Sequence, residues 1–353
     1  MDDQRAAPGD RPYPLRILMI QMFQGSFSHS EWRELVSDFQ DLSLLQTWEY
    51  GEAKTRTGPW KVERTIFMDN SCLVGACQVM VRLIPFTSRG VAWINRGPLW
   101  RRPGRQDIKD LSTMLSQLRQ TWAEDRGIYL RVALPLQNNE EGIRCLPTRG
   151  YSWVKNTVPW TSARLDLSSP LEALRGQMHQ KWRNCLNKSE RLGLSGEFGN
   201  DASLLGQVFE EYEKFLTKKD FKPVITPLFC RQLQVNGKLW GGIARLGDQR
   251  LGGIIVACYG QTCEYLVGAV NEAGRATNAT YFLLWQAICQ MKQSGYQRFD
   301  LGGVNPQTTP PGIFSFKSGL KGTPYRMAGE IEAYDRSLFN HGIRWYITRT
   351  RDR

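Results

Sequence analysis

Over Ser30–Phe39 the apolar residues Trp32, Leu35, Val36 and Phe39 fall at helical spacing, with Ser28 or Ser30 placed as the cap. A second helix is predicted over Leu45–Arg56. A third, amphipathic helix is predicted over Asp107–Glu124, with Leu111, Met114, Leu115, Leu118 and Trp122 on one stripe. Between them lie strand patterns at Val62–Met68, Cys72–Ile84 and Val91–Asn95, the first two joined by the turn-forming Asp69-Asn70-Ser71. Strands are also predicted at Tyr129–Leu134, where polar and apolar residues alternate, and at Thr161–Leu167.

The order then starts again. Helices are predicted at Pro170–Met178, Gln180–Leu192, Ala202–Lys218 and Thr226–Asn236. Strands follow at Lys238–Arg245, Gly252–Tyr259 and Cys263–Val270, then a helix at Thr277–Ser294 and a short strand at Arg298–Leu301. The series helix, helix, three strands, helix, strand thus occurs twice, as a repeat of topology and not of sequence. Each copy suits a mixed sheet flanked by helices, which sets the expected fold class as α/β with mixed, α+β-type sheets. The remainder adds a strand at Ala328–Tyr334, free to return to the first unit, and a basic helix at Ser337–Arg351. Residues 1–15, rich in Asp, Pro, Arg and Gly, read as a flexible tail.

Composition narrows the classes. A chain of 353 residues has room for two domains, and 41% hydrophobic residues supply a core. No apolar run nears the ~18–20 residues that a bilayer crossing needs, and the polar opening carries no apolar signal core. A cytoplasmic protein is therefore expected. Lys and Arg number 46 against 34 Asp and Glu, and the net charge of +12 favours nucleic acid, phosphorylated substrates or an anionic membrane face as partners. The eight cysteines include no C-x-x-C pair and sit mostly among apolar neighbours, so they read as reduced, buried thiols. The three histidines lack metal-ligand spacing, which argues against a zinc enzyme or a Ser-His-Asp hydrolase.

Five blocks, in order, carry a family resemblance. Gln46-Thr47-Trp48-Glu49-Tyr50-Gly51-Glu52-Ala53-Lys54 resembles a Q-x-W-x-W/Y-x-x-x-K helix, and Asn95-Arg96-Gly97-Pro98-Leu99 an R-G-P turn after a strand. Lys181–Leu194 is similar to R-N-x-I-x-K-A-x-x-x-G-L. Tyr281–Ile288 followed by Phe299-Asp300-Leu301-Gly302-Gly303 is similar to a helix before Y-D-F-G-G, and Gly312–Leu320 to G-I-x-x-F-K-x-G-F. The family so resembled is the FemABX aminoacyltransferases, in the type without the long helical arm. The resemblance implies two tandem GNAT-like acyltransferase domains, residues 16–162 plus 325–353 and residues 163–324, with the substrate cleft on or between them. It also implies transfer of an amino acid from aminoacyl-tRNA to an amine on the stem peptide of a peptidoglycan precursor, nucleotide- or lipid-linked. Aminoacyl-tRNA is then a co-substrate, and no cofactor or metal is expected.

Making an amide from an ester requires a neutral amine, alignment, and charge to meet the developing oxyanion. A lysine amine of pKa ~10.4 must lose a proton on docking, while alignment supplies on the order of 7–11 kcal/mol. A positioning enzyme poor in histidine is thus reasonable. The resemblance implies that Lys317 stands at the acyl-transfer centre, its cation on the oxyanion or leaving oxygen. It implies that the Phe316 carbonyl orients or deprotonates the amine, in a loop stiffened by Pro310-Pro311-Gly312. The competing reading is an exposed strand-edge lysine beside a core phenylalanine.

Lys54 is expected to hold the precursor's diphosphate, against a solvated lysine near a helix C-terminus. Arg183, in the basic stretch Gln177–Arg191, is expected on tRNA or precursor phosphates, against a solvated helix face. Asp300 and Tyr265 complete the substrate-binding candidates. Their alternatives are structural, Asp300 orienting the glycine loop and Tyr265 packing in the core.

The chain also departs from the family pattern. Where an acidic residue often follows the R-G-P turn, it reads Leu99-Trp100-Arg101-Arg102. Arg101, Arg102 and Arg105 are expected to form a basic patch for RNA or anionic lipid, and Asp107 is a candidate acidic substitute. An acyl-CoA-dependent GNAT-type N-acyltransferase is the first rival. Its R/Q-x-x-G-x-G/A loop has a counterpart in Asn271–Ala276, with Asn in first place and Glu272 set to repel a pyrophosphate. A non-catalytic RNA- or precursor-binding module is the second rival. The C-terminal segment with Arg344, Trp345, Tyr346, Arg349, Arg351 and Arg353 suits peripheral contact with an anionic inner membrane, or packing on the first domain.

Overall fold

Ser28 starts the first helix, α1 (His29–Ser37), through a capping box: its Oγ accepts the Glu31 N–H while Glu31 accepts the Ser28 N–H at 2.6 Å. The computed structural model describes residues 20–138, 150–219, 223, 225–235, 239–335, 337 and 340–345. Residues 1–15 and the end of the basic C-terminal segment lie outside the described residues. The expected helix at Leu45–Arg56 is divided. A 3-10 turn at Leu44–Gln46 precedes α2 (Trp48–Thr57), because the Thr47 hydroxyl accepts the Tyr50 N–H and restarts the helix there. Likewise α3 (Ile108–Arg119) stops short of Glu124, and a π-turn at Gln120–Asp125 follows it.

The first lobe contributes β1 (Ile20–Gly25), β2 (Lys61–Asp69), β3 (Cys72–Leu83), β4 (Gly90–Asn95), β5 (Tyr129–Ala133) and β6 (Ser152–Trp153). The second contributes β7 (Thr161–Asp166), β8 (Ser195–Gly199), β9 (Leu239–Leu246), β10 (Gln249–Tyr259), β11 (Thr262–Val270), β12 (Arg298–Asp300) and β13 (Thr323–Arg326). Its helices are α4 (Leu171–Gln177), α5 (Gln180–Arg191), α6 (Ala202–Lys219), α7 (Pro227–Gln234), α8 (Glu272–Ala276), α9 (Ala279–Gln293) and α10 (Pro311–Ser318). The last strand, β14 (Glu330–Ala333), returns to the first sheet and pairs with both β5 and β6.

Among the described residues each sheet has seven strands, ordered β1-β2-β3-β4-β5-β14-β6 and β8-β9-β10-β11-β12-β7-β13. Each holds a parallel pair at the same place, β4 with β5 and β11 with β12. Beside that pair each accepts a strand remote in sequence, β14 in one and β7 in the other. The repeat of topology is therefore real, and the α/β class with mixed sheets holds.

Three of the four apolar clusters among the described residues position the parts. Leu111, Met114, Leu118 and Trp122 pack on Val79, Ile94 and Leu130 in the first lobe. Phe282, Leu283, Trp285 and Ile288 of α9 pack on Ile254, Val256 and Phe299 in the second. The third crosses between lobes: Leu44, Tyr50 and Ala53 join Phe209, Phe229 and Leu233, with the Tyr50 and Phe229 rings edge-on at 5.6 Å. Burying such side chains contributes ~1.5–3 kcal/mol each, so the lobes share one apolar seam. Residues 340–345 form a helical turn on the first lobe, where buried Asn340 donates to Gly127 O and Arg344 pairs with Glu332. Packing, the second of the two uses expected for this segment, is what its described part does.

Candidate functional site

The five sequence blocks meet in two places. In the first lobe, fully buried Gln46 donates to Asn95 O at 2.8 Å and accepts the Gln78 N–H at 2.7 Å, tying the 3-10 turn to β3 and β4. A Cβ at Gly97 would sit 2.9 Å from the Gln46 amide, so the glycine of the R-G-P turn makes room for that glutamine. In the second lobe Trp182 donates from Nε1 to Phe316 O at 2.9 Å and stacks on the Phe316 ring, while Tyr281 meets that ring edge-on. The Phe316 carbonyl expected to receive an amine thus accepts an indole N–H with one of its two lone pairs.

Phe316 and Lys317 lie on α10, a helix, and not on the expected loop; Pro311 occupies its first turn, where a missing N–H is harmless. Lys317 is buried and 9% exposed, so the strand-edge alternative fails as well. Its ammonium donates to the Gly302 and Gly303 carbonyls and lies 5.0 Å from the centre of the Tyr265 ring. Burial lowers its pKa to about 8, with the Glu264 and Asp300 charges pulling the other way. The glycine loop is itself held by Asp300, which accepts from Ser162 Oγ at 2.6 Å, Tyr325 OH at 2.6 Å, Arg164 Nε at 3.1 Å and Gly302 N at 2.9 Å. Asp300 and Tyr265 are therefore the loop's supports.

In front of this loop runs a cleft of about 440 Å³ between the lobes, mostly apolar and walled by Leu45, Tyr50, Trp93, Trp160, Phe229 and Leu266 among others. Lys54 lines it from α2, half-buried, its ammonium 5.2 Å from the Phe229 ring centre and its pKa lowered by burial. Arg96 lines it too, over the Trp160 ring at 4.6 Å. The acidic lining is Glu264 and Glu330, the latter paired with Arg131. Glu264 is buried on β11 and accepts from Tyr259 OH at 2.9 Å. Burial, then the nearby Asp300 charge, raises its pKa. Lys317 is not part of the lining: Gly303 stands between it and Trp160, whose ring lies 3.4 Å from where a Gly303 Cβ would be. Lys317 thus reaches this side of the cleft through the Gly302 and Gly303 carbonyls that it holds.

Other expected contacts are spent internally. Arg183 donates to Gly176 O and Met178 O at 2.6 and 2.9 Å, closing the end of α4. Arg102 pairs with Asp38, and Arg105 with Asp69 and Asp110, so the expected three-arginine patch reduces to Arg101. Asp107 caps α3 through the Lys109 N–H. Glu264 was not singled out by the sequence; a lone carboxylate inside the otherwise apolar β11 was its available signal.

Residues 176–318 match the acetyltransferase (GNAT) domain family. Among solved structures, FemX aligns with a TM-score of 0.77 at 13% identity, over 91% of this chain and 100% of its own. The fold is FemABX-like. A conserved protein of unknown function from Bacteroides thetaiotaomicron aligns at 0.60 with 9% identity, covering 89% and 100% of the two chains. The C-terminal domain of a protein described as a lysylphosphatidylglycerol synthetase, from Agrobacterium fabrum, aligns at 0.54 with 13% identity, covering 91% and 97%. No curated protein sequence matches. The likenesses give the fold, and with the GNAT match they support an acyltransferase.

A GNAT fold carries the expectation of an acyl-CoA pyrophosphate on the amides of the β11–α8 turn. The turn itself is ill suited to it, although Lys214, Lys218, Arg250 and Arg275 line a cavity of about 650 Å³ beside the turn. Asn271 Oδ1 takes the Gly274 N–H at 2.9 Å, and Glu272 opens the five-residue helix. A Cβ at Gly274 would fall 2.3 Å from Leu251 O, so this glycine serves strand-to-helix packing.

Proposed function

We propose that the protein is an aminoacyltransferase that joins an amino acid from aminoacyl-tRNA to an amine on the stem peptide of a peptidoglycan precursor, with the cleft between the lobes as the acceptor site. The observation that carries this reading is the cleft lining, in which two cations, Lys54 and Arg96, and two carboxyls, Glu264 and Glu330, stand among apolar walls. A stem peptide offers charges of both signs and small apolar side chains to such a surface. The fold neighbour described as a lysylphosphatidylglycerol synthetase is in keeping with an aminoacyl donor.

Glu264, with its raised pKa, is matched to take the proton from the acceptor ammonium. The freed amine attacks the ester carbonyl, a C–N bond forms and the ester C–O bond breaks; the proton that the new amide nitrogen sheds passes to the leaving ribose oxygen, and the one taken by Glu264 is released to solvent. Lys54, whose charge burial disfavours, gains from an anionic group such as the precursor's diphosphate. Lys317 acts as a positioning residue, holding the loop that backs the cleft. Such substrates put the reaction in the cytoplasm, at the inner membrane face if the acceptor is lipid-linked; no helix among the described residues is long and apolar enough to cross a membrane.

Purified protein given a labelled stem-peptide precursor tests this, with charged tRNA and acetyl-CoA as alternative donors. Amide formation from the charged tRNA alone is expected. Turnover with acetyl-CoA and none with charged tRNA overturns the reading. Mass analysis of muropeptides from cells with and without the gene reports the added residue and the branch point.

A further inference from the structure

Beside the cleft lies a second, smaller cavity of about 70 Å³, against the ~10–15 Å³ that one water needs. Both lobes wall it. Arg96 and Arg101 reach it from the first, and Arg164 on β7 and Arg298 at the start of β12 reach it from the second. Among the described residues, Arg164 is the one of these four that has an ion pair, at 3.1 Å to Asp300. Arg96 and Arg101 lie over the rings of Trp160 and Trp100, and Arg298 donates to Thr262 Oγ1 at 3.3 Å. The acid in the lining is Asp41, whose oxygens already accept the N–H groups of Trp100 and Arg101 at 3.1 Å each. Burial pushes the Asp41 pKa up to about 6, so the group is still mostly ionised at neutral pH and offsets one of the positive charges, that of Arg101.

Asp41, Asp300 and Glu264 offset part of the charge of four guanidiniums gathered from two lobes, and an anion in the cavity would offset the rest. Burial and the neighbouring Arg164 charge both lower the Arg298 pKa, the sign of the charge left over. We propose that this cavity is a phosphoryl-binding site, taking either a free phosphate ion or the terminal group of a phosphomonoester. Three guanidiniums without ion pairs exceed the single charge and two oxygens of a carboxylate, whereas a phosphoryl group offers three peripheral oxygens and two charges to their forks. The volume admits a group of that size and leaves any esterified remainder outside. The site shares Arg96 with the cleft, whereas Arg101 and Arg298, on which its test rests, are not among the residues that line the cleft.

Calorimetric titration of the full chain at low salt tests the site, with inorganic phosphate and phenyl phosphate as separate probes. Saturable binding is expected for at least one, weakened about tenfold by Arg101→Gln and further by adding Arg298→Gln. The Arg101 side chain rests on the Trp100 ring, so its substitution removes no side-chain hydrogen bond of the fold; near-UV circular dichroism checks both variants. Binding of inorganic phosphate alone assigns the site to the free ion, and tighter binding of phenyl phosphate assigns it to an esterified group. Absence of binding, or an affinity untouched by both substitutions, overturns the proposal. None of these readings depends on acyl transfer, so they remain distinct from failure of the proposed activity.

Discussion

The Lys317 ammonium donates to the carbonyl of Gly302, the residue whose own N–H is held 2.9 Å from Asp300 Oδ1. Gly302 and Gly303 sit at φ +56° and +41°, and a Cβ at Gly302 would fall 2.4 Å from Tyr265 O. The backing loop is thus clamped from both sides in a shape that suits glycine.

Substituting Gly302→Ala should lower unfolding free energy by at least ~1–2 kcal/mol from the left-handed backbone alone, before the contact with Tyr265 O is counted. Urea denaturation of the two proteins measures it. A variant as stable as the parent would show that the turn can relax.

Lys317 should leave a signature in the pH dependence of stability. Its folded pKa is lowered to about 8 while the unfolded chain keeps the ordinary ~10.4. Between those values the unfolded state binds more protons, so stability rises with pH across that window, and the burial penalty is fully present below it. The whole effect is about 3 kcal/mol. Lys317→Met should abolish this rise, as seen by denaturation at a series of pH values. Parallel curves for parent and variant would deny the shift.

Asp300→Asn should be severe. It strips Arg164 of its ion-pair partner and upsets acceptors for Ser162, Tyr325 and Gly302. Asp300 is buried while Arg164 is partly exposed, so the cost should fall at the low end of the buried-pair range, about 3 kcal/mol. A loss below 1 kcal/mol, roughly one ordinary hydrogen bond, would mean that solvent replaces the carboxylate.

Glu264→Gln separates chemistry from folding. The amide oxygen can still accept from Tyr259, so the fold should hold while transfer slows by roughly 10²–10⁴. Single-turnover transfer from charged tRNA supplies the measurement. A rate within about twofold of the parent, far short of that range, would remove Glu264 from the proton path.

Much of the architecture was legible because its signals are local. The Ser28 cap, the Asn70-Ser71 turn and the α3 stripe each follow from a few neighbouring residues. The missed strands β1, β6, β8 and β13 are the four sheet edges, exposed along most of their length, and β8 carries two glycines. Site geometry was less legible. Lys54 was found on the cleft, whereas Lys317 stands behind its wall and Arg183 closes a helix. The four arginines of the small cavity come from positions 96, 101, 164 and 298, and sequence spacing says nothing of convergence across two lobes.

β14 occupies an interior position in the first sheet, yet it follows every strand of the second in the chain. During synthesis the lobe that begins first is therefore completed last. Until residues 330–333 emerge from the ribosome, the outer edge of β5 stands unzipped, an open rim that a nascent chain or chaperone would find before its own partner does.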